Sequence, residues 1–264
     1  MTTFADRCRA HIEVCADTPV AAIDGAQHLV LVGDSQVWRF PRHPQDCARI
    51  TEMAERIERA APWGAPRVLA VVPGQPGECH LTLSRIAGTS LLRARAAGRP
   101  VDRAILAALL RLRATSEADW PFPQVGWAQM WSGFAATAQA RAALLPAEQV
   151  ASLLAGAHAA AAVAAVAPLR IVHGDLASDN IMVADDGTLS GIVDWDGAIL
   201  GDPAIDTAAA LHVLEPGQQD AILEAHPDLA DDMGRWVVYR ETWTLQNLLW
   251  KEGLTPPLWG GTGH

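Results

Sequence analysis

The sequence predicts an α+β fold, with a small antiparallel, β-rich N-terminal part followed by a larger, mainly helical part. Two patterns carry that expectation. Short β-prone runs cluster before residue 87, and long apolar-periodic stretches dominate from Gly88 onward, interrupted only by a β-like section around Ile171 to Val193. Strands early and helices late is the segregated arrangement that separates α+β chains from alternating ones. With 264 residues, the chain has room for one large domain or two modest ones. The expected division is a first lobe over 1–87 and a second over 88–264.

The elements follow in order. Val20 to Pro41 holds three β-prone runs separated by D-G-A-Q and G-D-S, both good turn sequences, which predicts an antiparallel meander. From Cys47 to Ala60, Ile50, Met53, Ala54 and Ile57 recur at helical spacing, with charged residues elsewhere around the helix. Val68 to Val72 and His80 to Ile86 then read as two more strands, completing a sheet of about five with one helix inserted. Ala104–Ala114, Trp131–Leu145, Glu148–Val166, Thr207–Leu214 and Asp231–Leu249 read as helices. No internal repeat is seen.

Composition narrows the function. Hydrophobic residues make up 50% and charged residues 19%, which excludes a disordered chain. The net charge of −10 disfavours nucleic acid and anionic lipid as partners and suits a cationic ligand. Lys251 is the only lysine, so a cation needed in the N-terminal half must be arginine or histidine. Cys8, Cys15, Cys47 and Cys79 form no C-x-x-C pair and no zinc-type spacing, which predicts reduced thiols; with no secretory signal read, a cytoplasmic location is expected. The uncharged run Ala151–Leu169 is mostly alanine, contains His158 and ends at Pro168, and so reads as a buried helix, not a membrane span.

The chemistry is concentrated in I-V-H-G-D-L-A-S-D-N-I-M-V-A-D-D-G-T-L-S-G-I-V-D-W, from Ile171 to Trp195. An H-G-D-x-x-x-x-N loop is followed by a β-hairpin with D-D-G-T at its tip, and then by an aspartate after an apolar strand. Phosphoryl transfer to a hydroxyl needs a carboxylate to hold the acceptor O–H in line and oxygen ligands for Mg²⁺ bridging the phosphates. Asp175 fits the first part, and Asn180 with Asp194 fits the second.

His173-Gly174-Asp175, Asn180, Asp194-Trp195, Gly201-Asp202-Pro203 and Asp206 together resemble the signatures of the aminoglycoside phosphotransferase family of protein-kinase-like enzymes. The phrases from Leu189 to Ala209 and from Leu81 to Leu91 are most similar to the branch that phosphorylates tuberactinomycin peptides such as viomycin and capreomycin. The resemblance implies a bilobal protein-kinase-like fold, and transfer of the γ-phosphate of ATP or GTP, with Mg²⁺, to a hydroxyl of a small-molecule antibiotic, conferring resistance. A tuberactinomycin or an aminoglycoside is the favoured acceptor, and a monomer is the default expectation.

On that resemblance Arg39 binds the nucleotide phosphates and pairs with an acid on the following helix. Glu52 is preferred, because Glu55 lies about 300° further round at ~100° per residue. Gly25, in the turn Asp24–Gln27, covers the phosphates; Ser84 and Ile86 belong to the hinge that meets the base. His173, Asp202 and Asp206 brace the catalytic loop. Asp196 either faces the acceptor or is a solvated turn carboxylate, and one of Trp120, Trp127 and Trp131 contacts substrate. Trp236, Trp243 and Trp250 read as a core stripe on the last helix.

The chain departs from the family at Leu112-Arg113, where many members carry a histidine, and this puts that histidine's role in packing in doubt. Macrolide and nucleoside antibiotic kinases would share these motifs, as would metabolic kinases of choline, homoserine or sugars. A noncatalytic nucleotide-binding regulator would be expected to have lost Asp175 or Asp194, and both are present.

Overall fold

Helix α1 (Phe4–Ala10) begins at a capping box in which the Asp6 N–H donates to Thr3 Oγ1 and the Thr3 N–H donates to the Asp6 carboxylate. Its buried Cys8, with Ile12 just beyond, packs on Leu29 and Leu31 of β2 (His28–Val32) and on Trp38 and Phe40 of β3 (Gln36–Pro41). The alternation of Leu29 and Leu31 follows the two-residue period of a strand with one buried face. With β1 (Ala21–Asp24), β4 (Val68–Val72) and β5 (His80–Ser84), these strands form one antiparallel sheet in the order β1-β2-β3-β5-β4. The computed structural model describes residues 3–12, 21–25, 27–114, 126–140, 142–144 and 146–251.

Between β3 and β4 lie α2 (Pro44–Ala48) and α3 (Ile50–Arg59). Ile50, Met53, Ala54 and Ile57 are the buried stripe of α3, as the helical spacing required. A disulfide joins Cys47 of α2 to Cys79, with their Cα atoms 6.0 Å apart, and this corrects the expectation of free thiols there. Motif spacing could not find the pair, because the sheet brings together residues 32 apart in the chain. Such a bond persists in oxidising surroundings and is rare in a reducing cytoplasm. Thiol blocking of the non-reduced chain under denaturing conditions should therefore leave Cys47 and Cys79 unlabelled until a reductant is added; labelling before reduction would contradict the bond. Cys8 is free and buried, and Cys15 lies outside the described residues.

A second, three-stranded sheet, in the order β6-β8-β9, is built from β6 (Thr89–Ser90), β8 (Ile181–Val183) and β9 (Leu189–Ile192). The β8–β9 turn is the expected D-D-G-T tip, where the Thr188 N–H and hydroxyl both bond the Asp186 carboxylate. Gly88 enters β6 at φ 98°, and a Cβ there would lie 2.2 Å from the Val183 carbonyl oxygen. Gly88→Ala should therefore lower the unfolding free energy by more than the roughly 1 kcal/mol of an ordinary glycine-to-alanine mismatch, as a denaturant titration would measure.

By compactness the chain divides into residues 1–108 with 178–197, and residues 109–177 with 198–264. The boundary expected at 87/88 falls inside the first unit, which also takes α4 (Leu91–Ala96) and the hairpin of Asn180 and Asp194. Helix α5 (Asp102–Arg113) runs in sequence across the division at 108/109.

The second unit is helical around one short antiparallel pair, β7 (Arg170–Val172) with β10 (Ile199–Gly201). Its core is made by Trp127, Trp131 and Phe134 of α6 (Trp127–Ala140), Leu153, Ala157 and Ala160 of α7 (Ala147–Ala164), Ile205 of α8 (Ala204–Leu211), and Tyr239. After α9 (Pro216–Ala225), α10 (Pro227–Lys251) carries Tyr239 and packs along α7. The alanine-rich run thus belongs to a packed helix, and a Cβ on Gly156 would lie 2.0 Å from Thr242 Oγ1, so the two backbones approach closely there. Trp236 packs against this core. Among the described residues no helix is long and apolar enough to cross a membrane.

Candidate active site

Residues with the expected chemistry occur in both units. In the first, Arg39 stands on β3, an interior strand flanked by β2 and β5, and is only 8% exposed. Its guanidinium donates to Asp196 Oδ1 at 2.7 Å and to Asp194 Oδ1 at 2.9 Å. It also lies 3.1 Å from His28 Nδ1. Burial, reinforced by the neighbouring Arg39 charge, pushes the His28 imidazole down to about 3, so at neutral pH its Nδ1 accepts from Arg39. Burial raises the Asp196 carboxyl, and Arg39 opposes that rise.

Asp194 is the one non-glycine residue with positive φ among the described residues, at 66°. A left-handed backbone at a side chain of this kind costs on the order of 1–2 kcal/mol and is characteristic of functional positions. The loop is fixed from behind. The Val193 N–H donates to the Asn180 carbonyl at 2.9 Å, the Ile192 N–H donates to the Gly64 carbonyl at 2.9 Å, and the fully buried Trp195 donates its indole N–H to the Ile192 carbonyl. The β8–β9 hairpin thereby brings Asn180 and Asp194 together. Their oxygen donors, on a half-exposed carboxylate and a neighbouring amide, fit a hard divalent cation such as Mg²⁺.

The expected Arg39–Glu52 pair does not form. Glu52 bonds Arg49 at 3.0 Å and Arg56 at 2.8 Å, neighbours at i−3 and i+4 on the same half-exposed helix face. Arg56 in turn donates to the Asp196 backbone carbonyl at 3.1 Å. Asp196 is also corrected: it is not a solvated turn carboxylate, because its carboxylate is held by Arg39.

Gly25 lies in a braced turn, where the Gly25 N–H donates to the His28 carbonyl and the Arg42 side chain donates to the Gly25 carbonyl while pairing with Asp24. Ala26 lies outside the described residues. At the expected hinge, the Ser84 N–H donates to the Arg67 carbonyl and the Arg85 N–H donates to the Ser35 carbonyl, so neither amide is open to a nucleotide base. Ile86 closes over Gly191, where its Cδ1 would lie 2.7 Å from an added Cβ.

In the second unit the H-G-D loop leaves β7 and is held by Asp206 of α8, whose carboxylate accepts the His173 N–H at 2.5 Å and the Gly174 N–H at 3.0 Å. Burial raises the Asp206 carboxyl to about 6, against the pull of His173 and of these amides, so the group is ionised at neutral pH. The His173 imidazole is fully buried and accepts the Asp175 N–H at 3.3 Å through Nδ1. That series of bonds holds the backbone that presents Asp175.

Asp202 caps α8 through the Ala204 N–H and accepts from Arg235 and, at 2.7 Å, from the Tyr239 hydroxyl. Arg235 and Arg113 both bond Asp232, which also accepts from the Thr207 hydroxyl at 2.6 Å. Arg113, where the resemblance implied a histidine, thus bridges to Asp232 and Asp228 of α10. Sequence reading missed this role for Arg113, Asp232, Arg235 and Tyr239. The spacing of the last three, at i, i+3 and i+7 on one helix, was the available signal.

Trp127 and Trp131 correct another expectation, because they are 3% and 0% exposed in the helical core. Trp131 stacks on Tyr239 with centroids 5.8 Å apart, which leaves no face for a substrate. Trp120 lies outside the described residues.

A five-stranded antiparallel sheet with a basic residue on its third strand, an H-G-D loop and a hairpin ending in aspartate define a protein-kinase-like phosphotransferase fold. The chain belongs to the phosphotransferase enzyme family, which residues 22–239 match. Its structure is similar to that of aminoglycoside 2′-phosphotransferase IIIa in complex with GDP, with a TM-score of 0.67 and 16% identity over 89% of this chain and 87% of that one. It is also similar to an aminoglycoside phosphotransferase from Streptomyces rimosus in complex with ADP and streptomycin, at TM-score 0.60 and 22% identity over 86% and 92%. A choline/ethanolamine kinase family protein from Mesorhizobium loti gives TM-score 0.66 and 21% identity over 96% and 88%. No curated protein sequence matches the chain.

Proposed function

We propose that the chain transfers the γ-phosphoryl group of ATP or GTP to a hydroxyl of a small-molecule antibiotic, with a tuberactinomycin peptide or an aminoglycoside as the favoured acceptor and resistance as the outcome. The observation that carries the reading is the strained Asp194, tied to Asn180 through Val193 and facing the buried Arg39. Such an arrangement concentrates oxygen donors and one fixed cation where a metal–triphosphate needs both. Asn180 and Asp194 would hold Mg²⁺, which would neutralise charge on the phosphates. Arg39 donates to phosphate oxygens. Asp175, on the backbone braced by His173 and Asp206, orients the acceptor hydroxyl and accepts its proton. In this reading residues 1–87 form the nucleotide-binding lobe and residues 88–264 the catalytic and substrate-binding lobe of a monomeric enzyme.

The net charge of −10 supports a polycationic acceptor, and the phrases around Asp194 and Ser84 support the tuberactinomycin branch. A second reading, a metabolic kinase, draws on the structural likeness to a choline/ethanolamine kinase family protein. The two are separated by following ADP and GDP release, with and without Mg²⁺, across tuberactinomycins, aminoglycosides, macrolides, nucleoside antibiotics, choline, homoserine and sugars. Stimulation by one antibiotic class, dependent on Mg²⁺, is the expected result. A response confined to a metabolite would move the enzyme into ordinary metabolism, and no response to any hydroxyl compound would overturn the reading.

A further inference from the structure

We propose that Asp196 is the residue that positions Arg39 for the nucleotide phosphates, and that α3 acts on it through Arg56 instead of through a direct Glu52 pair. The proposal rests on the reading of Arg39 as a phosphate ligand given above.

A guanidinium this deeply buried requires a fixed counter-charge, because an unpaired ion in the interior costs several kcal/mol. Three carboxylates are candidates. Glu52 is engaged by Arg49 and Arg56 and does not reach Arg39. Asp194 bonds Arg39 through one nitrogen, Nη2, but its side chain is 44% exposed and it is the proposed metal ligand, so its charge is shared when the site is loaded. Asp196 bonds the other nitrogen, Nη1, at 2.7 Å, and its side chain is only 22% exposed. Holding Nη1 fixes the plane of the guanidinium, while Nη2, which faces His28 and Asp194, is free to exchange those partners for a phosphate oxygen.

The backbone of Asp196 is itself held. Arg56 donates to its carbonyl, Glu52 holds Arg56 one helical turn away, and the neighbouring Trp195 is locked by its indole bond. Glu52, Arg56, Asp196 and Arg39 thus form a relay in which the helix positions the loop and the loop positions the strand's arginine. In this chain the acid two residues after the metal-ligating aspartate does the work expected of the helix acid.

The test is calorimetric binding of ATP to the full chain with chelator present, so that Arg39 is probed without the metal. Asp196→Asn should weaken metal-free ATP by about 10- to 100-fold, the scale of a charge-assisted hydrogen bond. Arg39→Gln should do the same, and the double variant should be no weaker than Arg39→Gln alone, because both changes act through one guanidinium. Asp196→Glu, which keeps the charge, should recover part of the affinity. Arg56→Gln is the milder second variant, expected to weaken ATP by a smaller factor even if Asp196→Asn fails to fold.

Unaltered metal-free ATP binding in Asp196→Asn, or in Arg56→Gln where the former does not fold, would overturn the proposal. So would losses that simply add in the double variant, or a defect seen only as a higher Mg²⁺ requirement, which would make Asp196 a metal ligand. Asp175→Asn separates this proposal from the catalytic reading. If that variant still transferred phosphate while Asp196→Asn lost ATP affinity, the catalytic assignment would fall and the positioning role would stand.

Discussion

Asp175→Asn is expected to lower phosphoryl transfer by about 10²- to 10⁴-fold, the usual contribution of a positioned general base, with the affinity for nucleotide nearly unchanged. The change is close to isosteric, so the His173 and Asp206 bonds that shape the loop backbone are left in place. An amide cannot accept the acceptor's proton, nor hold its O–H with a full negative charge. The loss should therefore appear in kcat and equally in kcat/KM for the acceptor, which marks an interaction made in the transition state. Near-native turnover in this variant would exclude Asp175 as the base.

Asp202→Ala is expected to lower the unfolding free energy by about 3–5 kcal/mol, the scale found when one partner of a buried charge pair is removed. Asp202 is 1% exposed and is shared by the Ala204 N–H, Arg235 and Tyr239. Its removal strips the first turn of α8 of its cap, leaves the Tyr239 hydroxyl without its carboxylate, and leaves Arg235 with Asp232 alone. Because α8 also carries Asp206, the catalytic loop should loosen with it. Denaturant titration measures the effect. A second substitution, Arg235→Leu, should recover part of the loss, since the orphaned charge is what makes the single change costly. A loss below about 1 kcal/mol would show that the network is not coupled as its bonds imply.

Much of this fold was legible because period and turn chemistry agree locally. The five sheet strands were legible as β-prone runs between turn sequences and α3 by its helical spacing, and the D-D-G-T tip formed as its residues demand. The elements that sequence missed are short or weakly patterned. Residues 89–90 are a strand only because Gly88 admits a turn beside Val183, and α4 and α9 carry no long apolar stripe.

The site was legible in its residue types and less so in its pairings. Asn180 and Asp194 could be named from their place in the loop and hairpin, whereas His173 and Asp206, 33 residues apart in the chain, were named on the family resemblance. Partners set by tertiary packing could not be named. Glu52 has the helical angle expected of an Arg39 partner, yet Arg49 and Arg56 satisfy it first. Cys47 and Cys79 meet only because α2 returns to β5. The tryptophans of α6 sit in a segment whose surroundings suggest a ligand wall, whereas α7 and α10 enclose them.

The central claim is that the γ-phosphoryl group goes to an organic hydroxyl under the control of Asp175. Supplying ATP or GTP labelled in the γ-phosphate, with Mg²⁺ and the acceptor that most stimulates turnover, tests it most directly. Label recovered in the acceptor with the unaltered chain, and lost with Asp175→Asn, is the predicted result. Label recovered only as inorganic phosphate, or transferred equally well by Asp175→Asn, would contradict it.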